Sequence, residues 1–320
     1  MRPLVGVAVI GACIAGVMGG AVGACSSAGD GNAGANDASS GSSSGASASS
    51  SGASGSSSGA SGSSSGASGG ADSGSDSGKD SGGDAGAQTY TTKFPLTENP
   101  ISEGAKWIGG HAAGQACGGG YCWGNVQTAG GLAYGVDEPT QFGDPTAILT
   151  GTWGATQTVS ATVKAPVPAP SGGCCMEAEV RLRFSISPGI ATGYEVYCSI
   201  MTSNKYCHIA SWGGPDGAYV NLDAPQWDTN NPDCPGFTVT GPQYLKDGDV
   251  LSGTVSGSNP VTITGSINGT PFVTVVDKGK CHFNPPNGGP FGPWPSGAPG
   301  LGFFGNAFDT FGFTAFTAAD

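Results

Sequence analysis

Residues 249–277, DVLSGTVSGSNPVTITGSINGTPFVTVVD, decide the fold. Val261, Ile263 and Ile267 alternate with Thr262, Thr264, Ser266 and Asn268, the period-2 pattern of a strand with one dry face. Asn268-Gly269 then supplies two residues at ease with positive φ, as a type I′ hairpin turn requires. That turn sets a register in which Ile267 faces Thr270, Gly265 faces Phe272, Ile263 faces Thr274 and Val261 faces Val276. Phe272 then lies across Gly265, over backbone that the glycine leaves bare. The stretch is an antiparallel hairpin.

Outward from it, strand-like runs recur at 125–136, 147–165, 177–187, 194–201, 206–212, 218–222 and 301–318. Turn clusters separate them, among them Ser187-Pro188-Gly189, Gly213-Gly214-Pro215-Asp216-Gly217 and Lys246-Asp247-Gly248-Asp249. No segment holds a capped 3.6-residue period, so the folded part is all-β, a sandwich or barrel of short strands. The runs 156–164 (TQTVSATVK) and 177–185 (EAEVRLRFS) each place apolar residues on one face and polar or charged ones on the other. They are expected to cover the core on one side and meet water on the other.

The 60 glycines of the 320 residues are unevenly spread. Residues 26–88 are almost wholly Gly, Ser, Ala and Asp, too poor in apolar surface to offset the entropy of ordering them. This is a disordered tether, and about 60 such residues span roughly 40–45 Å end to end. All 6 Trp, 8 Tyr and 13 Phe lie in 89–320, which is long enough for one sandwich with a proper core. The net charge of −12, without a basic stripe, argues against nucleic acid or an anionic membrane surface as partner. Lys79-Asp80-Ser81-Gly82-Gly83 is similar to the nucleophile loop of chymotrypsin-like proteases, but low-complexity sequence makes such matches by chance and no core surrounds it.

Arg2 precedes an apolar run, 4–24, that ends in small residues, the outline of an export signal. Val22-Gly23-Ala24-Cys25 resembles a bacterial lipobox. The resemblance implies that residues 1–24 are removed, that Cys25 carries the lipid and that the protein is anchored to the outer membrane or cell surface. A retained transmembrane anchor is the alternative.

A second resemblance covers most of 89–320. Glu103-Gly104-Ala105-Lys106-Trp107, Asp247-Gly248-Asp249-Val250-Leu251, the hairpin, Gly300-Leu301-Gly302-Phe303-Phe304 and Phe308-Asp309-Thr310-Phe311-Gly312-Phe313 together resemble the concanavalin A-like lectin/glucanase jelly roll, particularly its laminin-G-like branch. It implies an antiparallel two-sheet jelly-roll β-sandwich whose last strand returns beside the first. The expected organisation is therefore a lipoprotein signal peptide (1–24), a disordered linker (25–88) and a concanavalin A-like domain (89–320).

Eight cysteines beyond Cys13 and Cys25 form an even set suited to disulfides in an exported domain. Cys117–Cys122 and Cys198–Cys207 are the local pairings, leaving Cys174 and Cys175 for Cys234 and Cys281. A zinc cluster using His111, His208 or His282 lacks the usual ligand spacing.

Glycosidases of this fold need two carboxylates on one strand. The nearest pair is Glu177 and Glu179, which share a face with Arg181 and Arg183; a solvated strand face with cross-strand ion pairs is the expected reading. Glycan binding draws on aromatic residues in Gly/Pro-rich loops, Tyr121, Trp123, Trp212, Trp227 and Trp294, with Asp216, Asn221 and Asp228 around them. The competing role for each tryptophan is a plug that caps the core. The loop holding Asp228, Asn230 and Asp233 is a Ca²⁺ candidate, with an Asx-turn as the alternative. The expected function is non-catalytic glycan binding at the cell surface. A glycoside hydrolase or polysaccharide lyase of the same fold and a structural or protein-binding surface module are the rivals.

Overall fold

Asn268 and Gly269 take φ of 51° and 74°, and the Asn268 side chain accepts from the Val250 N–H at 2.8 Å, so the I′ turn forms where the sequence places it. The fold is described here from a computed structural model, for residues 87–114, 123–136, 143–171, 175–223, 240–279, 292–305 and 308–320. The export signal, Cys25, the tether to residue 86, and Cys117, Tyr121, Cys122, Cys174, Trp227, Asp228, Asn230, Asp233, Cys234 and Cys281 lie outside these residues.

Among the described residues fifteen strands follow one another: β1 (Thr89–Thr92), β2 (Trp107–Gly109), β3 (Val126–Ala129), β4 (Leu132–Gly135), β5 (Thr146–Leu149), β6 (Gln157–Lys164), β7 (Glu177–Ser187), β8 (Ile190–Ser199), β9 (Cys207–Gly214), β10 (Tyr219–Asn221), β11 (Val250–Ser256), β12 (Val261–Ile267), β13 (Thr270–Asp277), β14 (Ala298–Phe304) and β15 (Gly312–Ala319). They form two antiparallel sheets. The first runs β13-β12-β11-β6-β15-β4-β3, with β1 also on β15, so the last strand returns beside the first; the second runs β10-β9-β8-β7-β14-β5-β2.

The core lies between the sheets. Gly253 and Gly265 are paired neighbours on β11 and β12, and their bare backbones make a hollow. A side chain at Gly253 would collide with Leu182 and Val196 of the facing sheet, and one at Gly265 with Phe272 and Val196. Phe272 does cover Gly265, but by a different register from the one expected. Gly265 pairs with Val273, Ile263 with Val275 and Val261 with Asp277, because a bulge intervenes after Ser266↔Pro271. Pro271 has no N–H for the ladder, and the bulge leaves Phe272 unpaired and turned wholly inward.

A second bulge shapes β7. Arg183 and Phe184 together oppose Gly193 of β8, and Arg183 takes φ of 47°. Its guanidinium then donates to the carbonyls of Ala155 (2.6 Å), Trp294 (2.8 Å) and Gly257 (2.6 Å). Trp294 packs half-buried against the core, its Nε1–H on Ser211 Oγ at 3.0 Å and its backbone N–H on Tyr194 Oη. It is a plug for the end of the sandwich, as are the buried Trp107 and Trp153 in their own places. Cys198 and Cys207, opposite one another on β8 and β9, form the expected disulfide, and Cys175 is also disulfide-bonded.

Candidate functional site

The ladder fixes what the seven-stranded sheet shows on each face. Val180, Leu182 and Val196 point at Gly253 of the other sheet, so their neighbours in the alternation, Glu177, Glu179 and Arg181 of β7, lie on the outer face. Across the ladder, Arg181 stands opposite Glu195, Glu179 opposite Tyr197, and Tyr197 opposite His208; Trp212 faces Tyr219, and Ala210 faces Asn221. One face of β7 to β10 thus gathers the charged and aromatic side chains.

Arg181 is its centre. Its Nη2 donates to Glu179 Oε2 at 2.6 Å, to Thr146 Oγ1 at 2.9 Å and to Asp144 Oδ1; its Nη1 donates to Glu195 Oε2, which also accepts from Trp212 Nε1–H. The guanidinium lies 4.9 Å from the Phe184 ring, 5.6 Å from Trp123 and 5.7 Å from Trp212, a box of three aromatic rings. Phe184 reaches this face because the Arg183 bulge reverses the alternation, and Gly193 leaves room for its ring. Gly302 on β14 does the same for the ions: a Cβ there would sit 2.5 Å from Glu179 Oε2 and 2.7 Å from Arg181 Nη2.

This corrects the expectation of a solvated face for 177–185. Glu179 and Arg181 are 1% and 0% exposed, because residues far off in the chain (Trp123, Asp144, Trp212) close over them. Trp123 and Trp212 are likewise buried, stacked edge-on at 4.6 Å, and are not the open stacking platforms expected of them. The group formed by Asp144, Glu179 and Glu195, whose ligand oxygens lie within 4.8 Å of one another, has the composition of a cation site. Its cation is Arg181; a divalent ion among those oxygens would have to displace the guanidinium, so the residues do not fit a metal as they stand.

Three carboxyls share one guanidinium, so burial raises the carboxyl pKa values more than Arg181 lowers them. Asp144 is raised by burial against the pull of Arg181, and Glu179 well above the usual range by burial and by Glu195 and Asp144. Glu177, half-buried beside them, is pushed up to about 8 by burial; its partial relief is the Tyr206 O–H, which donates to Oε1. A carboxyl whose folded pKa lies above its unfolded value contributes stability that is fully present below the unfolded pKa and lost as pH rises through the folded one. The melting midpoint is therefore expected to fall between pH 5 and 8, and Glu177→Gln to flatten that fall by about 5 °C, read by calorimetry across the range.

The open part of the face lies toward β9 and β10. Tyr206 and His208 stack at 5.7 Å and 23°, both partly exposed. His208 Nδ1 is 3.0 Å from Asp223 Oδ2, Tyr197 O–H donates to Asn221 Oδ1 at 2.8 Å, and Tyr219, 45% exposed, lies 4.7 Å from Trp212. Asp216, in the turn between β9 and β10, is half-buried near Asp144 and Glu195. Of the expected binding residues, Asp216, Asn221 and Trp212 are thus brought to this face with Glu177 and Glu179, whereas Trp294 is held at the end of the core. Arg181, Glu195, Tyr197, Tyr206, His208 and Tyr219 are not among the expected glycan-binding residues; the alternation in 177–185, in Glu195-Val196-Tyr197 and in Tyr206-Cys207-His208 is the local signal for all of them but Tyr219.

No protein-family model and no curated protein matches the sequence. Solved structures do. A carbohydrate-binding module from Bacillus subtilis aligns at 9% identity over 69% of this chain and 95% of its own, with a TM-score of 0.37. An endo-1,3-β-glucanase from Streptomyces sioyaensis aligns at 12% identity over 73% and 96%, TM-score 0.39. β-Agarase A, in complex with oligoagarose, aligns at 10% identity over 73% and 92%, TM-score 0.41.

Proposed function

We propose that this chain is an exported lipoprotein, anchored through Cys25, whose jelly-roll domain binds glycan without cleaving it on the outer face of the seven-stranded sheet. The observation that carries the reading is the grouping of Tyr206, His208 and Tyr219 beside Asn221 and Glu177: partly exposed rings next to hydrogen-bonding side chains on one rigid sheet. Rings stack on the apolar face of a pyranose and the polar groups read its hydroxyls. The non-catalytic part rests on Glu179 and Glu195, which are enclosed and engaged by Arg181, where a scissile bond does not reach them.

Tyr219→Ala is expected to weaken glycan binding about tenfold with the fold intact, while Trp294→Phe leaves it unchanged, as measured by affinity electrophoresis in polysaccharide gels. Equal mobility of wild type and Tyr219→Ala in every gel that retards the wild type would move the site elsewhere. The anchor is tested by labelled fatty acid, which Cys25→Ala should no longer incorporate.

One observation favours a hydrolase as the second reading. Glu177 is half-buried, holds its proton near neutral pH and neighbours Glu179, as a general acid beside a second carboxyl would. Reducing ends released from a bound polysaccharide, and lost in Glu177→Gln, would establish it.

A further inference from the structure

We infer that His208 reads the glycan as a hydrogen-bond acceptor, through an Nε2 that the enclosed Asp223 keeps bare. The inference rests on the reading that this face binds glycan, and names the sugar group received there: a free hydroxyl.

The tautomer is set from behind the ring. Asn221 pairs with Ala210 and the Leu222 N–H donates to the Ile209 carbonyl, so residue 223 falls across the ladder from His208. The Asp223 side chain is fully enclosed, whereas that of His208 is 22% exposed. Asp223 Oδ1 receives the Ile209 N–H at 3.3 Å, and Oδ2 lies 3.0 Å from His208 Nδ1. A carboxylate only accepts, so the proton of a neutral imidazole sits on Nδ1 and leaves Nε2 its lone pair. That Nε2 bonds to none of the described residues and is not closed off from solvent. The Tyr206 ring, stacked on the imidazole at 23° and itself held by Glu177, fixes the plane.

A second side chain is set in the same way by a different partner. Asn221 Oδ1 receives the Tyr197 hydroxyl at 2.8 Å, and Tyr197 is buried. Turning the amide over would take the acceptor from that enclosed hydroxyl, so Nδ2 keeps its two donors, which no described residue receives. Asn221 and Asp223 follow the alternation onto one face, about 7 Å apart. The ring of Tyr197 stands between the two groups, 5.6 Å from that of His208. An acceptor and a donor, each fixed by an enclosed partner, complement sugar hydroxyls, which give one proton and take another. An O-methyl or O-acetyl group has no proton for Nε2, so the pair selects against such substituents.

The first test needs no sugar. In the full chain carrying isotope-labelled histidine, long-range proton–nitrogen spectra in mildly alkaline buffer report the tautomer of each of the three histidines, and His208→Phe identifies the signals of His208. A proton on Nδ1 and a bare Nε2 are expected, and Asp223→Ala should release the ring to the Nε2–H form. A proton on Nε2 in the wild type would overturn the inference and leave the glycan reading standing. The second test is affinity electrophoresis in gels of a soluble β-glucan, a galactomannan and a xylan. His208→Phe keeps a ring against Tyr206 and removes the acceptor, so it should weaken binding about tenfold in the gels that retard the wild type. Asp223 is a positioning residue: Asp223→Ala should weaken binding by a similar factor and add nothing once His208→Phe is in place. Should Asp223→Ala fail to fold, the wild-type spectrum and His208→Phe still decide the matter. Equal retardation of the wild type and His208→Phe would also overturn the inference. A wild-type chain retarded by none of the gels would overturn the glycan reading, and the role of the acceptor with it.

Discussion

Arg181→Met is expected to cost the domain about 5 kcal/mol at pH 7.5, enough to unfold most domains of this size or bring them to the edge of it. Methionine keeps much of the volume inside the ring box of Trp123, Phe184 and Trp212, so packing alone predicts a small loss. The large effect comes from what is left behind: Asp144, Glu179 and Glu195 buried within 4.8 Å of one another with no counter-charge. Those carboxyls would take up protons to relieve the repulsion, so much of the lost stability should return near pH 5. Denaturant melts of both proteins at the two pH values measure it. A variant as stable as wild type at pH 7.5 would show that the carboxyls are already neutral there and that Arg181 is not their counter-ion.

The second large effect falls on a glycine. Gly193 has φ of 143°, and a Cβ on it would sit 2.6–2.7 Å from Cδ2 and Cα of Phe184 and 2.8 Å from the Arg183 carbonyl oxygen. Both the backbone conformation and the space exclude a side chain, and the atoms in the way include main chain that cannot swing aside. Gly193→Ala is therefore expected to cost about 3 kcal/mol or more and to undo the bulge that brings Phe184 to Arg181. Near-ultraviolet circular dichroism, which reports the fixed tryptophans, should change with it. Unaltered stability would mean that the bulge relaxes freely.

That bulge also explains why the site was harder to read from the sequence than the fold. The alternation in 177–187 marks β7 with the bounds it has, and Ser187-Pro188-Gly189 marks the turn after it. From that turn an unbroken ladder pairs Ser187 with Ile190 and would continue to Arg181 opposite Val196, putting Glu195, the acid of β8, inside. Arg183 and Phe184 jointly opposing Gly193 shift the ladder by one residue and set Glu195 against Arg181. Nothing local marks an arginine for positive φ, so the shift is decided by the packing of Phe184 and by the three carbonyls that receive Arg183. The hairpin at Asn268-Gly269 shows the same limit on a smaller scale: the turn is local and legible, whereas the Pro271-Phe272 bulge answers to the hollow at Gly265. Burial of the acidic face depends in turn on Asp144 and Trp123, residues distant in sequence, and alternation alone does not carry that information.

The central claim is that the outer face of β7 to β10 binds glycan. Its most direct test is a glycan array probed with the full, oxidised chain, once with Ca²⁺ and once with chelator. The account predicts selective signal in both buffers, lost in Tyr219→Ala. A blank array in both buffers, from protein shown to be folded, would contradict it and turn attention to a protein partner.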